Sequence, residues 1–180
     1  MATRSPDPLE VAATKTESAA NNVVYVLECG LNRFSNRKDP LDIDDLKRMI
    51  EASFILCHQA AEMGFKALAT TRGHTLQRLT TASYYDAYKA SKAKDMLDDA
   101  SHRRVEYVNV IRNELQHKPT IPLLNFKDAF AYMLDILDII CSLFEKSKVF
   151  ERSSLKLLDA VKSIESIRER LYSNVPSLFG

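Results

Sequence analysis

Apolar residues along this chain recur at intervals of three and four positions, the spacing that places them on one face of an α-helix. One such segment, 46–68, carries this apolar set: Leu46, Met49, Ile50, Phe54, Cys57, Ala61, Phe65 and Leu68. Similar faces occur over 14–34 and over about 154–173, whereas 126–148 is apolar on nearly every side. The pattern favours an all-α fold.

Between these segments, residues with known capping preferences predict where helices begin and end. Gly73 suits the C-terminal cap of the second helix, because glycine adopts the left-handed backbone found there. Ser83 and Ser101 suit N-terminal caps, and they predict helices from Ser83 to about Leu97 and from Ser101 to about Gln116. Together the segments predict an up-and-down helical bundle of about five to six helices.

The same pattern predicts how the domain is bounded and where its centre lies. Residues 1–13 include two prolines and mixed charge, which predicts a flexible N-terminal tail followed by a single helical domain over 14–180. The helix predicted over 126–148 has only a narrow polar seam. Such a helix either lies at the centre of the bundle or contributes to a subunit interface.

Composition narrows the class of protein without indicating a function. Of 180 residues, 46% are apolar and 27% charged, as in ordinary globular proteins. A net charge of +1 gives no sign of a general nucleic-acid binder, although a local basic patch would be sufficient for one. The N-terminus lacks the apolar core of a signal peptide, and no apolar run reaches the ~20 residues that span a membrane. A cytoplasmic protein without membrane contact is therefore expected.

The cysteines give no sign of a metal or redox site. Cys29, Cys57 and Cys141 are odd in number and far apart, and two of them lie on apolar helical stripes. This arrangement favours reduced thiols in an intracellular protein. No cysteine–histidine spacing is typical of a zinc site, so neither a metal nor another cofactor is expected.

Candidate chemistry is concentrated in the stretch RNELQHKP, which contains Arg112, Asn113 and His117. A guanidinium binds two phosphate oxygens and stays charged, and an imidazole exchanges a proton near neutral pH. An amide can orient either group. RNA supplies its own nucleophile, the 2′-hydroxyl. These three residue types therefore suit metal-free cleavage of RNA to a 2′,3′-cyclic phosphate and a 5′-hydroxyl.

Spacing alone does not decide between this chemistry and an ordinary helix end. Arginine–histidine pairs at this separation arise by chance, and both cations also stabilise a helix C-terminus. On a helix, Asn109, Asn113 and His117 share one face, while Arg112 lies to the side. Unwinding of the helix before Pro119 would allow the imidazole to turn back toward the guanidinium.

The wider context resembles the HEPN superfamily (higher eukaryotes and prokaryotes nucleotide-binding). In that family an Arg-x(4–6)-His motif, often with a polar residue after the arginine, precedes a long apolar helix. Here IRNELQHKP precedes FKDAFAYMLDILDII, and Arg112, Asn113 and His117 match the motif. Upstream, ASFILCHQAAEMGFKALATTRGHTLQRL is similar to the family's earlier helix. The resemblance covers residues 40–145.

This resemblance implies a helical bundle that often forms a homodimer, with the two motifs facing each other. Arg112, Asn113 and His117 would then be catalytic residues of a metal-independent endoribonuclease, with RNA rather than DNA as substrate. Family members act in toxin–antitoxin, antiviral-defence or RNA-processing systems, so an antitoxin or another protein partner is also implied. Other members have lost catalysis and bind RNA, nucleotides or proteins, and that alternative stays open.

Four further residues are candidates for supporting roles. Glu62 matches an acidic position of the family's earlier helix that could orient Arg112, although a solvated glutamate fits equally well. Arg103, Arg104 and Lys118 are cations near the motif. They could hold RNA backbone or belong to an ordinary solvated face.

One position departs from the family's pattern. Some toxin members carry a tyrosine two positions after the histidine, where a partner enzyme attaches nucleotides. This chain has Pro119 there, so a nucleotidyltransferase partner is not expected. The upstream histidines, His58 and His74, fit structural roles better than catalytic ones.

Overall fold

The computed structural model describes residues 7–35, 43–117, 126–147 and 154–178, and every regular element in them is helical. Five long helices make up most of the chain: α1 (Pro8–Ser35), α2 (Ile43–Thr71), α5 (Asp99–His117), α6 (Phe126–Lys146) and α7 (Ser154–Leu178). Two short helices and a 3₁₀ segment connect α2 to α5: α3 (Leu76–Thr80), α4 (Tyr84–Ala90) and Ala93–Met96. The predicted all-α bundle is confirmed. No helix in these ranges is long and apolar enough to cross a membrane.

The apolar helix α6 lies at the centre of the bundle, where it packs against α1, α2, α5 and α7. Its buried side chains come from most of its circumference: Ala129, Phe130, Met133, Leu134, Ile136, Leu137, Ile139, Ile140, Cys141, Leu143 and Phe144. Burial stabilises such a helix by about 25 cal/mol for each Å² of apolar surface removed from water. The predicted central position is confirmed, and packing within one chain accounts for the apolar character of α6.

α2 approaches α6 closely because Gly64 has no side chain. A Cβ at that position would lie 3.1 Å from Cγ2 of Ile140, a tighter contact than Cβ atoms usually make. Phe65 and Leu68 of α2 are buried in the same core. The apolar stripe predicted over 46–68 is therefore the face of α2 that is turned into the bundle.

α1 begins at Pro8, earlier than the pattern predicts. The backbone N–H of Leu9 donates to Oδ1 of Asp7 at 3.0 Å, which satisfies one of the donors that a first helical turn leaves without an internal partner. Proline suits the first helical position, since the N–H that it lacks has no acceptor there. Leu9 is buried. Residues 8–13 thus belong to the helical core, and for them the predicted flexible tail over 1–13 is wrong.

Gly73 ends α2 as the sequence predicts. Its φ of +89° lies in the left-handed region that glycine adopts without strain. The N–H of Gly73 donates to the carbonyl of Thr70 at 3.1 Å, and the N–H of His74 donates to that of Ala69 at 3.2 Å. These two bonds form a Schellman motif, which satisfies carbonyls that the end of the helix would leave unpaired.

Ser83 caps α4 as predicted, but the helix is shorter than the sequence indicates. It ends at Ala90, well before the predicted end near residue 97. The buried hydroxyl of Ser91 donates to the carbonyl of Tyr88 at 2.6 Å and accepts the N–H of Ala93 at 3.1 Å. These side-chain bonds compete with the helical ladder, so a single helix from residue 83 to 97 is wrong.

α5 begins at Asp99 rather than at the predicted Ser101. The carboxylate of Asp98 accepts the backbone N–H of Ser101 at 2.7 Å and so caps the helix. This backbone hydrogen bond stabilises the ionised carboxylate and holds the pKa of Asp98 below its ordinary value. The capping residue is therefore the aspartate, not the serine.

One face of α5 is buried and the opposite face is open to solvent. Val105, Val108 and Ile111 are at most 1% exposed, and α5 packs against α2 and α6. Tyr107 is 41% exposed and Val110 is 51% exposed. This asymmetry fixes the rotation of α5 about its own axis, on which the position of every polar side chain of the helix depends.

Two matched substitutions test that rotation. Val108→Ala removes buried methyl groups and is expected to lower the free energy of unfolding by about 2 kcal/mol. Val110→Ala, two residues along on the same helix, should change it by less than about 0.5 kcal/mol, because the side chain is solvated and alanine is the better helix former. Urea denaturation measures both values, and equal losses would contradict the rotation.

Candidate functional site

The end of α5 carries the Arg112, Asn113 and His117 that the sequence singles out. Nη1 of Arg112 donates to Oδ1 of Asn113 at 3.0 Å, so the guanidinium and the amide lie together. Arg112 is partly buried, whereas Asn113 and His117 are exposed. His117 is the last residue of α5, and solvent reaches its imidazole.

The regular geometry of α5 separates Arg112 from His117. The helix continues through His117, and at about 100° per residue the two side chains point about 140° apart. The hydrogen bond of Arg112 is made to Asn113 rather than to the imidazole. The predicted unwinding before Pro119 therefore does not occur within α5, and Lys118 and Pro119 lie outside the described residues. Within one chain the side chains of Arg112 and His117 therefore leave α5 in different directions, whereas Asn113, which accepts from Arg112, shares the side of His117.

A buried histidine from α2 contacts the same helix one turn before Arg112. Nε2 of His58 lies 3.3 Å from Oδ1 of Asn109, and His58 is only 2% exposed. Because an amide oxygen can only accept, Nε2 carries the proton and donates it. The imidazole also stacks on the ring of Tyr84, with the ring centroids 4.3 Å apart. The role of His58 in the fold is thus structural, as the sequence favours.

Burial lowers the pKa of His58 below its ordinary value of 6.5, because the protonated form would lose its hydration. The hydrogen bond to Asn109 opposes this effect. The positive charge of Arg112 lowers the pKa further, and the negative charge of Glu62 raises it. His58 is therefore neutral near pH 7, and Arg112 is a cation whose charge acts on it.

Tyr84 joins α4 to α5 beneath the candidate site. Its hydroxyl donates to the backbone carbonyl of Val105 at 3.1 Å, and its side chain is buried. Burial is the main cause that raises the pKa of Tyr84, so the hydroxyl stays protonated and keeps its role as a donor. The bond gives α5 a second anchor besides its apolar face.

Glu62 does not make the contact with Arg112 that the sequence suggests. Its carboxylate pairs instead with Nζ of Lys66 at 2.6 Å, one turn further along α2. Lys66 is nearly buried, so this charged hydrogen bond is shielded from solvent more than a surface ion pair. The effect of Glu62 on the site is electrostatic and is exerted on His58.

The two predicted RNA-contacting arginines of α5 have different surroundings. Arg103 is exposed. Arg104 is only partly exposed, since its Nε forms an ion pair with Asp135 of α6 at 3.2 Å and its guanidinium lies 4.7 Å above the ring of Tyr132. Arg103 is free to meet a ligand, whereas Arg104 already contributes to the packing of α5 against α6.

Side chains that bind metals are not clustered in the described ranges. No group of three or more histidine, cysteine, aspartate or glutamate side chains there could hold a metal ion. The three cysteines are free thiols, and Cys57 and Cys141 are buried. Burial raises the pKa of both thiols, that of Cys141 to about 12, so both are protonated near neutral pH.

The link between His58 and Asn109 is the contact near the site that the sequence pattern does not reveal. The two residues are 51 positions apart, and neither belongs to a local motif. The available signal is the apolar stripe of α2, which places His58 beside the buried Cys57. A histidine on such a face needs a polar partner, but the stripe does not say which one.

Comparisons of the chain with protein-family models, with curated proteins and with solved structures find no match. Membership of the HEPN superfamily therefore stays a prediction from Arg112, Asn113, His117 and the helices that surround them.

Acidification is expected to reduce the free energy of unfolding through His58. Its pKa in the folded chain lies below the ordinary 6.5, so between these two values the unfolded chain binds a proton that the folded chain does not. This contribution to stability is complete above about pH 6.5 and is lost as the pH falls toward the folded pKa. Urea denaturation at steps from pH 7 to pH 5 measures it.

A variant without a titrating ring provides the comparison. His58→Gln keeps an amide donor for Asn109, and its stability should depend less on pH across the same range. His74→Gln, at an exposed position after α2, should keep the pH dependence of the natural chain. Parallel curves for the natural chain and His58→Gln would show that the buried ring is not responsible.

Proposed function

We propose that this chain is a metal-independent endoribonuclease of the HEPN type. Support comes from the motif formed by Arg112, Asn113 and His117 at the end of α5, directly before the central apolar helix α6. The observation that carries most weight is the pairing of Arg112 with Asn113 at 3.0 Å on the helix that ends in an exposed His117. These residues provide a permanent cation, an orienting amide and a titratable imidazole.

The proposed reaction uses the 2′-hydroxyl of the substrate as nucleophile. His117 removes the proton from that hydroxyl, and O2′ forms a bond to the adjacent phosphorus. The bond from phosphorus to O5′ breaks, which leaves a 2′,3′-cyclic phosphate, and the departing O5′ takes up a proton from water. Arg112 stabilises the additional negative charge on the phosphorus centre. Its guanidinium has five N–H donors, so the bond to Asn113 leaves others for phosphate oxygens.

We place the site between two copies of the chain, because a regular α5 directs Arg112 and His117 about 140° apart. In a two-fold dimer, Arg112 of one protomer can meet His117 of the partner subunit, and the symmetry creates this site twice. The resemblance to the family also implies such a dimer. The doubled arginines would supply a local positive charge that the net charge of +1 does not.

Cleavage of RNA in the presence of a chelator tests the activity. His117→Ala and Arg112→Ala should each reduce the rate by about 10²-fold or more, since they remove the proton acceptor and the charge stabilisation. His74→Ala and Arg78→Ala, at exposed positions, are matched controls that should cleave normally. The products should end in a cyclic phosphate and a 5′-hydroxyl. Absence of cleavage across structured and single-stranded RNAs would refute the proposal.

Mixed dimers test whether the site is composite. Co-expression of Arg112→Ala and His117→Ala chains should yield dimers in which one site has lost both groups and the other retains both. If half of the dimers are mixed, about a quarter of the natural activity should return, although each variant alone is inactive. Activity that stays absent in verified mixed dimers would contradict the exchange of Arg112 and His117 between protomers.

A second candidate function is a non-catalytic HEPN-like module that binds RNA or nucleotides or serves in an assembly. The separation of Arg112 from His117 within one chain favours it, as do the exposed Tyr107 and Val110 on α5. Such a module would bind RNA or a protein without turnover. Its affinity would be the same in His117→Ala, which distinguishes it from the nuclease.

A further inference from the structure

A shallow groove of about 430 Å³ lies between α5 and α6, lined by Ala100, Arg103, Arg104, Tyr107 and Tyr132. We propose that this groove binds single-stranded RNA, with one base stacked on Tyr107 and a neighbouring phosphate held by Arg103. The identity of the ligand as RNA rests on the proposed ribonuclease function. The groove would then hold the substrate at a distance from the reacting phosphate.

Of the two aromatic rings in the groove, that of Tyr132 is covered by another side chain and that of Tyr107 is exposed. The rings of Tyr107 and Tyr132 lie 5.0 Å apart between centroids at an angle of 49°. The guanidinium of Arg104 covers Tyr132 at 4.7 Å, while Tyr107 is 41% exposed. A nucleic-acid base that stacks on Tyr107 would remove this ring from water. Stacking of this kind tolerates any base, because every base has a π-face.

Ion pairs on α6 determine which arginine is available to a phosphate. Asp135 forms ion pairs with Arg104 at 3.2 Å and with Arg168 of α7 at 3.5 Å, and Arg168 also pairs with Asp138. This network holds Arg104 beside Tyr132. Arg103 is exposed, and the described residues that line the groove include no carboxylate. Arg103 therefore provides a local positive charge suited to a phosphodiester.

The two groove residues proposed to contact RNA, Arg103 and Tyr107, lie on the same side of α5 as the candidate catalytic histidine. At about 100° per residue, the side chains of Arg103, Tyr107, Val110 and His117 fall within about 80° of one another. Glu114 shares this side and is only partly exposed. Ten residues separate Tyr107 from His117, which is about 15 Å along the helix axis. A stacked strand with a rise of 3.4 Å for each nucleotide covers that distance with about four nucleotides.

Binding of a labelled 2′-O-methyl octanucleotide tests the groove independently of catalysis, since this probe has no 2′-hydroxyl to attack. Fluorescence anisotropy should show that Tyr107→Ala weakens binding about tenfold, whereas Tyr107→Phe, which keeps the ring, stays within about twofold. Arg103→Gln should weaken binding and reduce its dependence on salt. Tyr85→Ala and Arg78→Gln are controls at exposed positions on α4 and α3 and should bind as the natural chain does.

The results for RNA binding in the groove are independent of the results for RNA cleavage. Loss of probe binding in Tyr107→Ala supports the groove even if no RNA is ever cleaved. If RNA is cleaved, Tyr107→Ala should raise KM for a long substrate with little change in kcat, and cleavage of a dinucleotide should be unaffected. Unchanged binding by Tyr107→Ala would overturn the proposal, as would failure of the natural chain to bind the probe. Light scattering provides a further outcome: a Tyr107→Ala chain that loses its dimer but keeps its RNA affinity would identify a subunit interface instead.

Discussion

The burial of one face of α5 constrains everything else at the candidate site. Three apolar side chains of this helix are buried in the bundle: Val105, Val108 and Ile111. Because their burial fixes the rotation of the helix about its axis, it also fixes the direction in which each polar side chain points. Arg112 is thereby directed toward the side where His58 of α2 lies, and His117 toward solvent. The separation of these two groups is thus a consequence of apolar packing several ångströms away, and any catalytic use of both has to accept it.

Electrostatics on the inner side of α5 are arranged around a neutral imidazole. A protonated His58 would repel Arg112, and burial prevents this by lowering the pKa of the ring. Glu62 is occupied by Lys66 rather than by Arg112. The guanidinium of Arg112 therefore keeps most of its hydrogen-bonding capacity, with Asn113 as the partner that orients it. This arrangement is what an anion-binding arginine requires, whether the bound phosphate is cleaved or only held.

The sequence predicts more of the fold than of the site, and the reason is the range of the interactions involved. Helical periodicity is local, so the buried stripe of α2 and the central position of α6 follow from the pattern of apolar residues. The early start of α1 and the break after α4 depend on single polar groups, Asp7 and Ser91, whose competing hydrogen bonds periodicity does not report. The motif on α5 is visible as a spacing, but the bond between His58 and Asn109 joins residues 51 positions apart and needs the folded chain.

The contact between Gly64 and Ile140 has a consequence for how this protein can diverge. The absence of a side chain at Gly64 leaves room for the bulky side chain of Ile140. The residue tolerated at either position therefore depends on the residue at the other. An alanine on α2 would require Ile140 to shift by a few tenths of an ångström or to be replaced by a smaller residue, so a bulky residue on α6 favours keeping the glycine. Among homologous chains the two positions are accordingly expected to vary together, as a covarying pair at the contact between α2 and α6.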